Sequence, residues 1–280
     1  MNEKGKSLLI SAFPGLSATQ EAGKQLIEAL KFRKTKNAMK LIEEGADVNF
    51  RDEHGITPLY AAISFQLGDI AKVLIENGAR VDVADEYDTT PLHAAIRGRF
   101  IAIINMLIDR GADVNKADND GISPLHFAAQ YNGLEIALEL IGRGADVNEA
   151  DQNGNMPLHV AAEFGRIQIA SMLIQQRADV NKANNNGSTP LHMAAKHGSI
   201  QIAEILVKAG ALLRITNRNG RTPKQVAAYY HEETVREYLE RVGRDRKIAL
   251  YLSLKKIELS DKKSKLPDDI IREVMAKIKL

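Results

Sequence analysis

"MPLHVAAEFGRIQIASMLIQQRADVN", residues 156–181, holds in one stretch the pattern that decides the fold. Pro157 follows a capping position; its φ is already helical and it has no amide to leave unpaired, so a short helix starts there. Ala161 and Ala162 continue it and let another helix come close, and Gly165 can adopt the left-handed conformation that ends it. The next run sets Ile167, Ile169, Ala170, Leu173 and Ile174 on a wide apolar stripe, which predicts a second helix. "ADVN" at 145–148 and "DQNG" at 151–154 read as the turn-rich connection between such helix pairs, with Gly154 supplying positive φ.

The same stretch recurs along the chain. "TPLY" begins at Thr57, "TPLH" at Thr90, "SPLH" at Ser123, "MPLH" at Met156, "TPLH" at Thr189 and "TPKQ" at Thr222, each 33 residues after the last. A second ladder keeps phase with it: "GADVN" at Gly45, "GARVD" at Gly78, "GADVN" at Gly111 and Gly144, "RADVN" at Arg177 and "GALLR" at Gly210. Thr or Ser before the proline is a good N-cap, because its hydroxyl accepts from an orphan amide of the first turn. Met156 breaks that rule, which predicts a loss of about 1 kcal/mol at its helix. Asp88 and Arg177 stand where the other units have glycine, and both predict local strain.

These two motifs, in phase at 33 residues over about 24–242, resemble the ankyrin repeat. The resemblance implies an all-α fold: antiparallel helix pairs stacked into a curved solenoid, with hairpin-like loops projecting toward the concave side. The organisation it implies is an N-terminal segment over 1–20, an N-capping repeat over 21–49, five full repeats over 50–214, a C-capping repeat over 215–242 and a basic helical tail over 243–280. Terminal repeats have one face toward water, which accounts for "KQLI" at 24–27 in place of "TPLH".

Composition sets the remaining bounds. With 44% hydrophobic and 26% charged residues the 280-residue chain reads as soluble and folded, and no run approaches the roughly 20 apolar residues of a membrane helix. The absence of Cys excludes disulfides, Cys-ligated zinc and thiol nucleophiles. It fits a cytoplasmic location, the host cytosol included should the chain be a secreted bacterial or viral effector. "KGKSLLISAF" at 4–13 has the outline of a signal peptide, but its apolar run is short and meets Pro14.

No catalytic constellation stands out, and the expectation is a non-enzyme without cofactor or metal. His93, His126, His159 and His192 recur at 33 residues, one per repeat, too far apart to share a metal; in the family this histidine is structural. "HEETV" at 231–235 lacks the second His of a zinc-protease helix, "GKS" at 5–7 lacks its upstream Gly, and Lys116 stands where a calcium loop needs its first carboxylate. In ankyrin proteins the "ADVN" asparagine can be hydroxylated when Leu lies eight residues before it, a condition met by Asn49, Asn115, Asn148 and Asn181.

The family binds other proteins through loop tips and the exposed ends of the first helices. The tips here are mostly polar, with Tyr87 the exception, whereas the position after the alanine pair reads Phe65, Gly98, Tyr131, Phe164, His197 and Tyr230. Aromatic anchors on a polar surface are the composition of protein-interface hot spots. The expectation is a scaffold that grips a segment of another protein through Phe65, Tyr87, Tyr131, Phe164, His197 and Tyr230. The alternative is that these rings only shield helix ends in a purely structural or self-associating scaffold. The repeats are net acidic, which argues against nucleic acid.

The tail "LPDDIIREVMAKIKL" opens with Leu266 and with Pro267 at a first helical position, sets Ile270, Ile271, Val274, Met275 and Ile278 on one apolar helical face, and has Asp268 and Asp269 at the positive helix end and Lys277 and Lys279 at the negative one. The string is similar to the first helix of an F-box, which binds a Skp1-type adaptor of ubiquitin ligases. That resemblance implies a substrate adaptor or host-directed effector; the competing reading is a helix that caps the array.

Overall fold

The computed structural model describes residues 17–260, which form two compact units divided between residues 146 and 147. Among the described residues there are fourteen helices and no strand. The first unit contains α1 (Ala18–Lys31), α2 (Thr35–Glu43), α3 (Pro58–Ser64), α4 (Gly68–Glu76), α5 (Pro91–Gly98), α6 (Ile101–Asp109), α7 (Pro124–Gln130) and α8 (Leu134–Gly142). The second contains α9 (Pro157–Glu163), α10 (Ile167–Gln175), α11 (Pro190–Lys196), α12 (Ile200–Lys208), α13 (Pro223–Tyr229) and α14 (Glu233–Ser260).

Each unit is a two-layer stack of helix pairs. In the first, α3 packs on α1 and α5 while α4 packs on α2 and α6; in the second, α11 packs on α9 and α13 while α12 packs on α10 and α14. The alanine pairs set the spacing: Ala61, Ala62, Ala94, Ala95, Ala128, Ala129, Ala161, Ala162, Ala194 and Ala195 are all buried, beside the leucines of the "PLH" motif. In the second helices Leu74, Leu107, Leu140, Leu173 and Leu206 are fully buried, and truncation of such a residue to Ala costs about 2–5 kcal/mol. The stripe expected on α10 is narrower than its sequence: Ile169, Ala170 and Leu173 are buried, Ile174 is half-buried and Ile167 is exposed.

Helices of seven or eight residues cannot hold themselves together, so their ends are fastened by side chains. Thr90 shows how. Its backbone N–H donates to Nδ1 of His93 at 3.2 Å, and its hydroxyl lies 2.8 Å from the same nitrogen. With donors around Nδ1, the proton of the neutral ring sits on Nε2, which donates to the Ile122 carbonyl at 3.1 Å, 29 residues on. His192 repeats the arrangement onto the Arg221 carbonyl at 3.0 Å. His159 reaches the Ser188 carbonyl, and takes the Met156 amide although Met156 has no hydroxyl to offer. In the last pair Gln225 does the same work, its side-chain oxygen taking the Thr222 amide at 2.9 Å. Burial, opposed by Asp118, pushes the His93 imidazole down to about 4.

The loops are built from a second set of repeated contacts. Asp52, Asp85, Asp118, Asp151, Asn184 and Asn217 each accept, through Oδ1, the amides two and four residues ahead, which shapes the same turn six times. Neighbouring loop tips share one backbone bond, as from Glu86 N–H to the His54 carbonyl at 3.0 Å and from Asn185 N–H to the Asn153 carbonyl at 2.9 Å. The "ADVN" asparagine fastens one connection to the next: Asn115 donates to the Gly144 carbonyl at 3.0 Å and accepts from Asp146 N–H at 2.9 Å. Asn49 and Asn181 do likewise, and Asn148 accepts from Asp179 N–H.

Backbone conformation also keeps the period. Residues 33, 66, 99, 132, 165, 198 and 231, each between the two helices of a pair, all have positive φ, yet Gly appears only at 165 and 198. Asp88 (φ 57°) and Arg177 (φ 68°) are left-handed as their register requires.

The last helix departs from the repeat. α14 runs unbroken from Glu233 to Ser260, across the boundary at 242/243 that the sequence sets between the C-capping repeat and the tail. Gly243 falls in register with the glycines that end the other second helices, but Arg244 stands where Ala46, Ala79, Ala112, Ala145, Ala178 and Ala211 are buried. A guanidinium cannot enter that apolar slot, so no turn forms and the helix continues. Arg246 instead donates to the Val207 carbonyl in the last turn of α12 at 3.1 Å and to the Ala211 carbonyl of the following connection at 3.3 Å.

Two outcomes are expected. Asp88→Gly and Arg177→Gly should each raise stability by about 0.5–1 kcal/mol, read as a higher urea midpoint at unchanged slope, because each relieves a left-handed side chain. Stability should also fall as pH drops from about 6.5, where unfolded His titrates, to about 4, where folded His93 does, by up to about 3 kcal/mol at that one site. His93→Gln, copying the Thr222–Gln225 pair, keeps an acceptor but removes the titration, so the stability difference between pH 7.5 and 4.5 should shrink. A difference as large as in the natural protein would refute this account.

Candidate functional site

The ring positions singled out in the sequence are the residues at which the first helices stop. Phe65, Tyr131, Phe164, His197 and Tyr230 are the C-caps of α3, α7, α9, α11 and α13; α5 runs on through Gly98 and caps at Arg99. A residue just before a left-handed turn projects from the end of a short helix, which is why this position can carry a large side chain without disturbing the stack.

In the first unit the rings are partly absorbed by packing. Phe65 and Tyr131 are half-buried. Tyr131 lies 6.0 Å from Phe127, which meets the buried His93 edge-on at 4.9 Å. The gap in the series at Gly98 is filled from elsewhere: a Cβ at 98 would come within 2.6 Å of the Phe100 ring, so the glycine makes room for that ring to fold over it. Phe100 is a ring beside this series that counting one register position misses, although a Gly followed two residues later by Phe was visible in the sequence. Tyr87 stands apart on a loop tip, 64% exposed, between Glu86 and Asp88.

In the second unit the rings are more open and each has a cation against it. Phe164 and Tyr230 are 42% and 44% exposed. The Arg166 guanidinium lies 6.0 Å from the Phe164 ring centre and the Lys196 ammonium 5.8 Å from that of Tyr230. Tyr229, which the register had left out, is also exposed; it meets Tyr230 edge-on at 5.1 Å and has the Arg221 guanidinium 3.7 Å from its ring centre. Such pairs contribute roughly 0.5–1 kcal/mol each at exposed sites and hold the rings in place. His197 is exposed, 3.9 Å from Glu163; burial and then Lys196 hold its imidazole below the usual histidine range, against the opposing pull of Glu163 and Glu232.

The two units differ in charge. Residues 17–146 carry 14 Lys and Arg against 20 Asp and Glu, whereas residues 147–260 carry 16 against 11. The basic character that the sequence places in the tail therefore begins within the repeats of the second unit.

The periodic histidines serve the helix caps described above, and among the described residues no three His, Asp or Glu side chains converge as metal ligands. No described helix is long and apolar enough to cross a membrane. Leu266, Pro267, Ile270, Ile271, Val274, Met275 and Ile278 lie outside the described residues.

Comparison with known families gives matches to models of ankyrin repeats over residues 26–118, 107–161 and 158–207. No curated protein matches the chain.

Proposed function

Because the chain belongs to the ankyrin-repeat family, whose repeats are protein-interaction scaffolds, we propose that it binds a segment of a partner protein through the rings at the ends of its first helices. The observation that carries this reading is the surface of the second unit, where Phe164, Tyr229 and Tyr230 stand open with Arg166, Arg221 and Lys196 against them. Rings that only shielded helix ends would be drawn into the packing, as the half-buried Phe65 and Tyr131 are. Phe65, Tyr87, Phe100 and Tyr131 of the first unit and His197 of the second supply further contacts.

The sharper form of the proposal is a substrate adaptor: the repeats take the cargo and Leu266–Ile278 engages a Skp1-type ligase adaptor. Its support is the sequence resemblance of that stretch to the start of an F-box.

Phe164→Ala/Tyr230→Ala should weaken binding of a captured partner by at least tenfold while leaving the melting temperature near that of the natural protein, since both rings lie outside the core. Retention of every captured partner by a folded double variant would remove the ring surface from the mechanism. For the adaptor, the full chain should retain purified Skp1-type protein and a chain ending at residue 260 should not; failure of the full chain to retain it leaves the scaffold without that arm.

A further inference from the structure

The overrun of α14 creates a cleft that the repeat pattern does not have. Leu239, Glu240, Gly243, Arg244 and Lys247 on one face of α14 oppose Leu213, Arg214 and Thr216 of the preceding connection and the first turn of α13, enclosing about 560 Å3. Four cations converge there: Arg214, Lys224, Arg244 and Lys247. Arg244 shares the one carboxylate, Glu240, at 3.8 Å on the exposed helix surface. Among the described residues the other three have no ion-pair or hydrogen-bond partner. Like charges gathered at one cleft repel one another, so the arrangement destabilises the isolated protein and is relieved by an anion.

Gly243 points the same way. Glycine is the poorest helix former after proline, and at 243 neither the backbone nor close packing calls for it: it has no positive φ, and a Cβ there would meet nothing within 4 Å. Its effect is to leave the wall of the cleft low between Leu239 and Lys247.

We propose that this cleft binds an acidic peptide segment of a partner protein, one that presents carboxylates to Arg214, Lys224 and Lys247 and an apolar side chain to Leu213 and Leu239. Charge complementarity and the leucine-lined floor select this occupant. The chain's own residues 261–280 carry six Lys and Arg against four Asp and Glu, and a net positive segment is repelled. Arginine forks engage carboxylates in pairs and lysines supply point charges, so affinity should depend steeply on salt. The inference stands on residues separate from the ring surface.

The test is fluorescence anisotropy of the full chain with a labelled eight-residue peptide of six Glu and two Leu, in 50 and 300 mM salt. The expected result is saturable binding, weaker at high salt and at least tenfold weaker in Lys224→Glu/Lys247→Glu at unchanged melting temperature. Gly243→Leu, which fills the cleft without changing charge, should weaken it as well, and Phe164→Ala/Tyr230→Ala should bind the peptide as the natural protein does. No binding, or equal binding by the charge-reversed variant, overturns the proposal. Tighter binding of a 20-nucleotide single strand than of the peptide overturns it in favour of nucleic acid. Self-association in sedimentation that the charge reversal abolishes overturns it in favour of a second copy of the chain.

Discussion

A helix of seven or eight residues closes too few internal hydrogen bonds to offset the entropy of ordering it, and everything else in this structure depends on that deficit being met from the side. The capping side chains meet it at one end: the Thr90 amide goes to His93, the Thr189 amide to His192 and the Thr222 amide to Gln225. The ring then reaches across to a carbonyl 29 residues away, so one side chain both ends a local problem and ties two neighbouring pairs together. The "ADVN" asparagine does the equivalent for the connections. Because its amide is used at both ends, with a carbonyl on one side and an N–H on the other, it is part of the framework rather than a free surface group. Polar groups, more than bulky core residues, thus set the register, while alanines and single leucines set the spacing.

That framework was almost wholly legible in the sequence because every part of it is local or repeats at a fixed interval. Thr-Pro marks a helix start, Gly a turn, and the 33-residue step places each unit; the carbonyls 29 residues on that His93 and Asn115 reach were not read from it. Asp88 and Arg177 were legible as strained for the same reason, and both have the positive φ that their register demands. The ring positions were half legible. Their place at the ends of the first helices follows from the period, but how open each ring is depends on neighbours the period does not fix. Tyr131 is taken up by Phe127, and Phe100 folds over Gly98 from two residues away. Tyr229 owes its part to a guanidinium from the preceding connection.

What the period could not supply was the point at which it fails. Gly243 keeps its place in the count, and counting alone would have put a turn there. The turn depends on the residue after it: an alanine small enough for the buried slot in six earlier connections, an arginine here. The gathering of cations at the last cleft depends on the same substitution, since a chain that had turned at 243 would have carried Arg244 and Lys247 away from Arg214 and Lys224 on a loop.

The same break governs how far the second unit can grow. A stack of like pairs is in principle a polymer, since each added pair presents the face that the next one needs. Growth past α13 and α14 would require an Ala at 244 to seat the turn and an apolar residue at 246 in the register of Val81, Val114 and Leu213. Both positions are arginine, and Arg246 spends its guanidinium on the Val207 carbonyl of α12 and the Ala211 carbonyl just beyond it. The two residues act as a chain terminator, so the length of the stack is written in a local chemical event and not in a tally of repeats.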